Sequence, residues 1–110
     1  MKKKSQEILE YKAKFAAKYP DIAQGFVSLK ESVMQDGKIK AKEKELIALG
    51  IAVGLRCAPC IYAHISSALS LGATPDEIIE AASVAILMTG GPGMAHVVEV
   101  LKCTEEFAGE

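Results

Sequence analysis

The chain of 110 residues has the length of one domain and is too short for two separate cores, so we expect a single domain over residues 1–110. Half of its residues are apolar and a quarter are charged, a balance that indicates a folded globular protein and excludes a disordered one. With thirteen basic and fourteen acidic side chains the formal net charge is −1, so no broad electrostatic field favours nucleic acid or an anionic membrane as a partner.

No segment has the pattern of an export signal or of a membrane span. The basic residues 2–4 are followed by Glu7 and Glu10, where a signal peptide would need an apolar stretch. The longest apolar run, residues 46–55, is half of the about 20 residues that cross a bilayer as a helix. We therefore expect a cytoplasmic protein that does not contact a membrane.

In the N-terminal third, apolar residues recur at three- and four-residue steps, which predicts two amphipathic helices. The first covers residues 5–18, and Pro20 ends it and begins the second. The second stops at the turn signal Asp36-Gly37. The two apolar faces consist of Ile8, Tyr11, Phe15 and Tyr19, followed by Ile22, Phe26, Leu29 and Val33.

A third helix is predicted from Ala41 through the apolar segment LIALGIAVGL. Periodicity alone would permit a buried strand here, but the charged lead-in, the alanines and the length favour a helix. Pro59 is tolerable in a helix only within the first turn, so we expect the fourth helix to open at Cys57 and to end at Gly72.

The fifth helix has the clearest predicted start. Thr74 supplies an N-cap, Pro75 the first helical position and Glu77 the carboxylate of a capping box, so this helix covers residues 75–89. A glycine pair separates it from a sixth helix over residues 92–107. The predicted fold is therefore all-α, with six helices.

The third and fifth helices are apolar nearly all round, and a domain of this size has little interior in which to cover two such helices. We therefore expect a homo-oligomer. The alternative is a monomer in which the N-terminal helix pair packs across both of them.

The chemistry-bearing residues are Cys57, Cys60 and His64, which fall on one side of a helix. Cysteines three residues apart on a first turn have Cβ atoms about 5 to 6 Å apart. This is slightly more than a disulfide requires, so a small adjustment of the helix end closes the bond. The pattern predicts a pair that switches between dithiol and disulfide.

Only a thiolate attacks peroxides or disulfides, so one cysteine must lose its proton easily. His64 lies four residues after Cys60 and seven after Cys57, which makes Cys60 the activated sulfur and Cys57 the sulfur that resolves it. The habit of thioredoxin-like proteins of attacking with the first cysteine of a CxxC favours the opposite assignment.

Glu45 enters through the geometry of a helical hairpin. If the chain reverses near Arg56, Glu45 lies opposite Ser67, within a turn of His64, where a carboxylate can orient the imidazole. The alternative is a solvated charge at the end of the charged run 42–45.

Zinc binding is the main rival to redox chemistry, because Cys57, Cys60 and His64 are all zinc ligand types. A structural zinc site needs a fourth ligand, and neither Cys103 nor His96 is near in sequence. We therefore expect no metal and no bound cofactor. His96 and Cys103 share a face of the sixth helix, which is typical of a core or a subunit interface.

The stretch KEKELIALGIAVGLRCAPCIYAH resembles the alkylhydroperoxidase D-like branch of the carboxymuconolactone decarboxylase family. The signature of that branch is a glutamate twelve residues before CxxCxxxH, and Glu45, Cys57, Cys60 and His64 match all four positions. Weaker likeness covers the third to sixth helices, about two thirds of the chain.

This resemblance implies an antioxidant, cysteine-based oxidoreductase of peroxiredoxin type, usually trimeric or hexameric. It implies that the cysteine pair reduces a hydroperoxide or disulfide substrate, that a cellular dithiol recharges the pair, and that Glu45 and His64 form a proton relay. The pattern can carry a second histidine between the cysteines where this chain has Pro59, which bears on peroxidase strength. The decarboxylase branch lacks the CxxC, so lactone decarboxylation is not expected. A zinc-binding or non-catalytic assembly module of the same family is the alternative.

Overall fold

The computed structural model describes residues 4–108, and this part of the chain forms six α-helices and no strand. The all-α, six-helix prediction is confirmed. The basic start at residues 1–3 and the last two residues lie outside the described part. The helices are α1 (Lys4–Lys18), α2 (Pro20–Val33), α3 (Ala41–Gly54), α4 (Ala58–Ser70), α5 (Pro75–Thr89) and α6 (Gly91–Ala108).

The start of α5 follows the predicted capping box. The Thr74 hydroxyl accepts the backbone N–H of Glu77 at 3.1 Å, and the Glu77 carboxylate accepts the N–H of Thr74 at 2.9 Å. Two of the N–H groups that a helix start leaves without an intrahelical partner are thereby satisfied. Pro75 occupies the first helical position, where it has no N–H to lose.

Helix α2 ends earlier than the turn signal predicts. It stops at Val33, three residues before Asp36. The Asp36 carboxylate instead accepts the N–H of Ala41 at 2.7 Å, so this residue caps the start of α3 rather than marking the end of α2. The segment between the two helices is fixed by Lys44, whose ammonium donates to the Val33 and Gln35 carbonyls.

The core lies among α3, α4, α5 and α6, which pack on one another. Cys103 is 0% exposed and belongs to this core, as its position on α6 predicts, whereas His96 is half-buried. The largest side chains that are fully buried in the core are, besides Cys103, Leu49, Val53, Ile61, Ile65, Ile78 and Val100.

The N-terminal helix pair lies to one side of this core. Helix α1 packs on α2 and α4, α1 is the only helix packed on α2 within residues 4–108, and α2 has no buried residue. The pair therefore does not cover α3 and α5, which the monomer alternative requires. Large apolar side chains on those two helices remain in contact with solvent, among them Ile51 at 57% and Met88 at 80% exposure. Within the described residues, no helix is long and apolar enough to cross a membrane.

Candidate active site at the α3–α4 corner

The chain reverses between α3 and α4 through two hydrogen bonds that close the end of α3. The Arg56 N–H donates to the Val53 carbonyl at 3.1 Å, and the Cys57 N–H donates to the Ala52 carbonyl at 3.0 Å. This is the bond pattern of a Schellman motif, which needs a residue in the left-handed region just after the helix. Arg56 takes that conformation with φ 57°, the only residue other than glycine in the described part with a positive φ.

Cys57 lies one residue before α4 and is its N-cap, rather than the first residue of the helix. Its backbone is extended, with φ −102° and ψ 94°, and its sulfur accepts the N–H of Cys60 at 3.3 Å. A disulfide joins Cys57 and Cys60, whose Cα atoms are 5.3 Å apart. Both residues are half-buried, and Cys60 packs against the core. The adjustment that closes the bond is therefore made by placing Cys57 outside the helix.

Glu45 faces His64 from the neighbouring helix. Its Oε1 lies 2.7 Å from Nδ1 of His64, and Glu45 is only 3% exposed. The alternative prediction, that Glu45 is a solvated charge, is therefore wrong. A carboxylate in its ionised form only accepts hydrogen bonds; with Glu45 in that form, Nδ1 of His64 donates the hydrogen and Nε2 is the nitrogen that can take a proton.

The arrangement supplies the parts that a thiol nucleophile needs. His64 follows Cys60 by one helical turn on α4, and Glu45 orients the imidazole from α3. A histidine one turn from a cysteine, with a carboxylate hydrogen-bonded to the imidazole, is a pattern typical of an activated nucleophile. Within residues 4–108, no group of three or more His, Cys, Asp and Glu side chains is placed to hold a metal ion.

Pro59 stands between the cysteines at the start of α4, and it is exposed. It borders a groove of about 890 Å³ that runs between α1 and α2 and is lined mainly by apolar side chains. Pro59 is the residue of the α4 start that lines this groove; the two cysteines do not line it.

Spacing does not single out Arg56, because an arginine after a helix carries no turn signal. The distribution of basic residues along the sequence does single out Arg56. Arg56 is the only lysine or arginine between Lys44 and Lys102, and it directly precedes Cys57.

Comparison with known proteins places this site in a family. The model of the carboxymuconolactone decarboxylase family matches residues 20–102, which include all four site residues. An uncharacterised protein encoded in the cox locus of Paracoccus denitrificans is 35% identical over 88 residues, covering 80% of this chain and 79% of that protein. An uncharacterised protein of Cupriavidus necator is 35% identical over 82 residues, covering 74% and 73% of the two chains.

Two solved structures have the same architecture. A carboxymuconolactone decarboxylase family protein from Legionella pneumophila superposes with a TM-score of 0.89 at 36% identity, covering 94% of this chain and 93% of that one. A family member from Thermotoga maritima, described as having a possible involvement in antioxidative response, gives a TM-score of 0.83 at 28% identity and covers 97% and 92%. The fold, the matched segment and the likeness to these relatives together show that this chain belongs to the carboxymuconolactone decarboxylase family.

Proposed function

We propose that this protein is a thiol-dependent oxidoreductase that reduces hydroperoxides or disulfides with Cys57 and Cys60. The observation that carries the proposal is the buried Glu45 carboxylate hydrogen-bonded to His64, one turn from a cysteine pair that forms a disulfide. The description of the Thermotoga maritima relative supports an antioxidant role. A pair that is recharged by a dithiol suits the reducing cytoplasm, so a cytoplasmic location is part of the proposal.

The reaction begins from the dithiol. Nε2 of His64 takes the proton of the Cys60 thiol, and the thiolate attacks the terminal oxygen of the hydroperoxide. The O–O bond breaks, the alcohol leaves with the proton from the imidazole, and Cys60 becomes a sulfenic acid. The Cys57 thiol attacks this sulfur, water leaves, and the disulfide forms. The pair has then given two electrons, which a cellular dithiol returns.

A rapid-mixing experiment tests the activity and the roles of the two sulfurs. Reduced wild type, Cys60→Ser and Cys57→Ser are mixed with cumene hydroperoxide, quenched with acid, and their remaining thiols are counted. We expect rapid thiol loss in the wild type and in Cys57→Ser, and none in Cys60→Ser. Loss of the rapid phase only in Cys57→Ser would reverse the roles, and equal rates in all three would refute the peroxidase.

A zinc assay on the protein as purified addresses the rival chemistry in the same preparation. Stoichiometric zinc that blocks thiol oxidation would favour a metal site over a redox pair. Near-zero zinc with oxidisable thiols is the result that the redox proposal expects.

We also propose that copies of the chain associate as a homo-oligomer, a trimer or a hexamer. The supporting observation is the uncovered apolar surface of α3 and α5, which includes Ile47, Ile51, Val84 and Met88. An exposed contiguous apolar surface on a small domain is typical of an association site.

A further inference from the structure

Arg56 is the cation that directly precedes the disulfide in sequence, whereas Lys12 and Lys30 of the N-terminal helices share a groove with Pro59. Residues 45–101 contain no further lysine or arginine, and Arg56 precedes Cys57 directly. Its side chain is exposed, and the neighbouring Leu55 is 71% exposed. The chain holds it at φ 57°, a backbone conformation in which glycine or asparagine is the usual residue. Glycine suits this conformation better, so the backbone geometry does not account for the arginine side chain.

The two sulfurs of the disulfide are not equivalent targets for a reductant. Cys60 packs against the core, whereas Cys57 caps the helix from outside and adjoins Arg56. Attack at Cys57 also makes Cys60 the leaving thiolate, which is the sulfur one turn from His64. A reductant that attacks Cys57 therefore approaches the residue that directly follows Arg56.

We infer that Arg56 binds an anionic group on the thiol reductant that recharges the site. This inference rests on the proposed redox function and names a property of the reductant, a negative charge close to its thiol. A guanidinium pairs with a carboxylate or phosphate through parallel hydrogen bonds, and an exposed cation raises the local concentration of an anion.

The recharging step balances without a further reactant. The reductant thiolate attacks Sγ of Cys57, the disulfide breaks, and Cys60 leaves as a thiolate that regains a proton. A second reductant thiol attacks the mixed disulfide and releases Cys57. Two electrons pass to the protein, and the two reductant sulfurs become a disulfide.

The test uses two matched thiols, 3-mercaptopropionate and its neutral amide, on the oxidised protein. For one pair of unit charges about 7 Å apart in water, we expect Arg56→Gln to slow reduction by the anion about threefold and to leave the amide rate unchanged. Arg56→Lys keeps the cation and the strained backbone, so it should retain the preference for the anion. Arg56→Glu should lower the anion rate further, and high salt should remove all these differences.

Two outcomes would overturn the inference. Equal slowing of both thiols by Arg56→Gln would show that Arg56 acts on the cysteine pair or on the corner itself. Unchanged rates with both thiols would show that its charge has no part in recharging. Failure of both thiols to reduce the wild-type disulfide would count against the proposed redox function instead, so the two failures are distinguishable.

Discussion

Glu45 is a carboxylate held almost out of contact with water, and such a group is costly to bury unless it is paired. Its partner is Nδ1 of His64 at 2.7 Å, and within the described residues no buried side-chain nitrogen or oxygen lacks a hydrogen-bond partner. The pair therefore fixes the position of the imidazole relative to the cysteine one turn before it. Such orienting carboxylates hold the tautomer of the base and stabilise its charged form.

We predict that Glu45→Gln slows oxidation of the cysteine pair by a hydroperoxide by about tenfold or more, because general base catalysis contributes about 10²- to 10⁴-fold and here depends on the oriented imidazole. The glutamine keeps the size of the side chain and removes its charge. The measurement is the rate of thiol loss after rapid mixing.

Glu43→Gln is the matched control for this change, since Glu43 is exposed on the same helix. It should oxidise at the wild-type rate. A Glu45→Gln rate equal to that of the control would show that the carboxylate has no part in the reaction.

Among the site residues, the sequence predicts the cysteine pair and its histidine, because they belong to one local pattern. The position of Glu45 is harder, since it depends on where the chain reverses and on how α3 packs against α4. Spacing alone also permits a solvated carboxylate, and only the family resemblance favours the contact with His64. The place of Cys57 just outside α4 follows from its extended backbone, which no periodicity reports.

The α3–α4 corner depends on a strained residue. A residue other than glycine in the left-handed region costs about 1 to 2 kcal/mol. We predict that Arg56→Gly raises the free energy of unfolding by about 1 kcal/mol, because glycine takes this conformation without the Cβ clash. Thermal or urea unfolding of the oxidised protein measures the difference.

Arg56→Ala separates backbone relief from loss of the arginine side chain. Alanine retains a Cβ, so this variant should gain no stability. An equal gain in both variants would mean that the arginine side chain, rather than its backbone conformation, is unfavourable in the folded state.

The capping box of α5 gives a pH-dependent contribution to stability. The hydrogen bond from the Thr74 N–H, followed by that from the Lys42 ammonium, lowers the pKa of Glu77 below its ordinary value. A carboxyl whose pKa is lower in the folded state stabilises the fold above its unfolded value, and this contribution is lost as the pH falls through the folded value. Glu77→Gln should therefore lower the melting temperature at neutral pH, with a difference that vanishes in acid.

Glu80→Gln serves as the control for Glu77→Gln, because Glu80 is exposed on the same helix and outside the capping box. It should leave the melting temperature close to wild type. A Glu77→Gln deficit of the same size at acidic pH would show that the glutamate acts through packing rather than through its charge.

The helix boundaries were predictable where one local signal determines them. Thr74, Pro75 and Glu77 determine the start of α5 among themselves, and the structure has the predicted bonds. The end of α2 was not predictable in this way, because an aspartate such as Asp36 can have either of two structural roles. It can follow a helix in a turn or cap the next helix, and its bond to Ala41 settles this through the geometry of the whole connection.

Over the whole molecule, the distribution of apolar surface is uneven. Helices α3 to α6 form a closed core, whereas α2 buries none of its 14 residues. Isolated helices shorter than about 12–15 residues are marginal in water, so a helix of this length needs packing on its apolar face. The sequence predicts the excess of apolar helices, but it does not say which faces the N-terminal pair covers. The structure shows that α1 lies against α4 and leaves the surface of α3 and α5 open.

The open surface of α3 and α5 leads to a prediction about the mass of the protein in solution. Val84 is 61% exposed and lines the groove between α3 and α5, so a charge there has room in a single chain but not against a second apolar surface. We expect the wild type to have the mass of three or six chains by light scattering, and Val84→Glu to have the mass of one or to dissociate on dilution. Ser83→Glu adds the same charge at the adjacent exposed position, outside the groove lining, and should leave the mass unchanged.

A wild type with the mass of one chain would contradict the proposed oligomer. An assembled Val84→Glu would instead show that the copies meet on another face, for which the uncovered apolar side of α2 is the next surface to substitute.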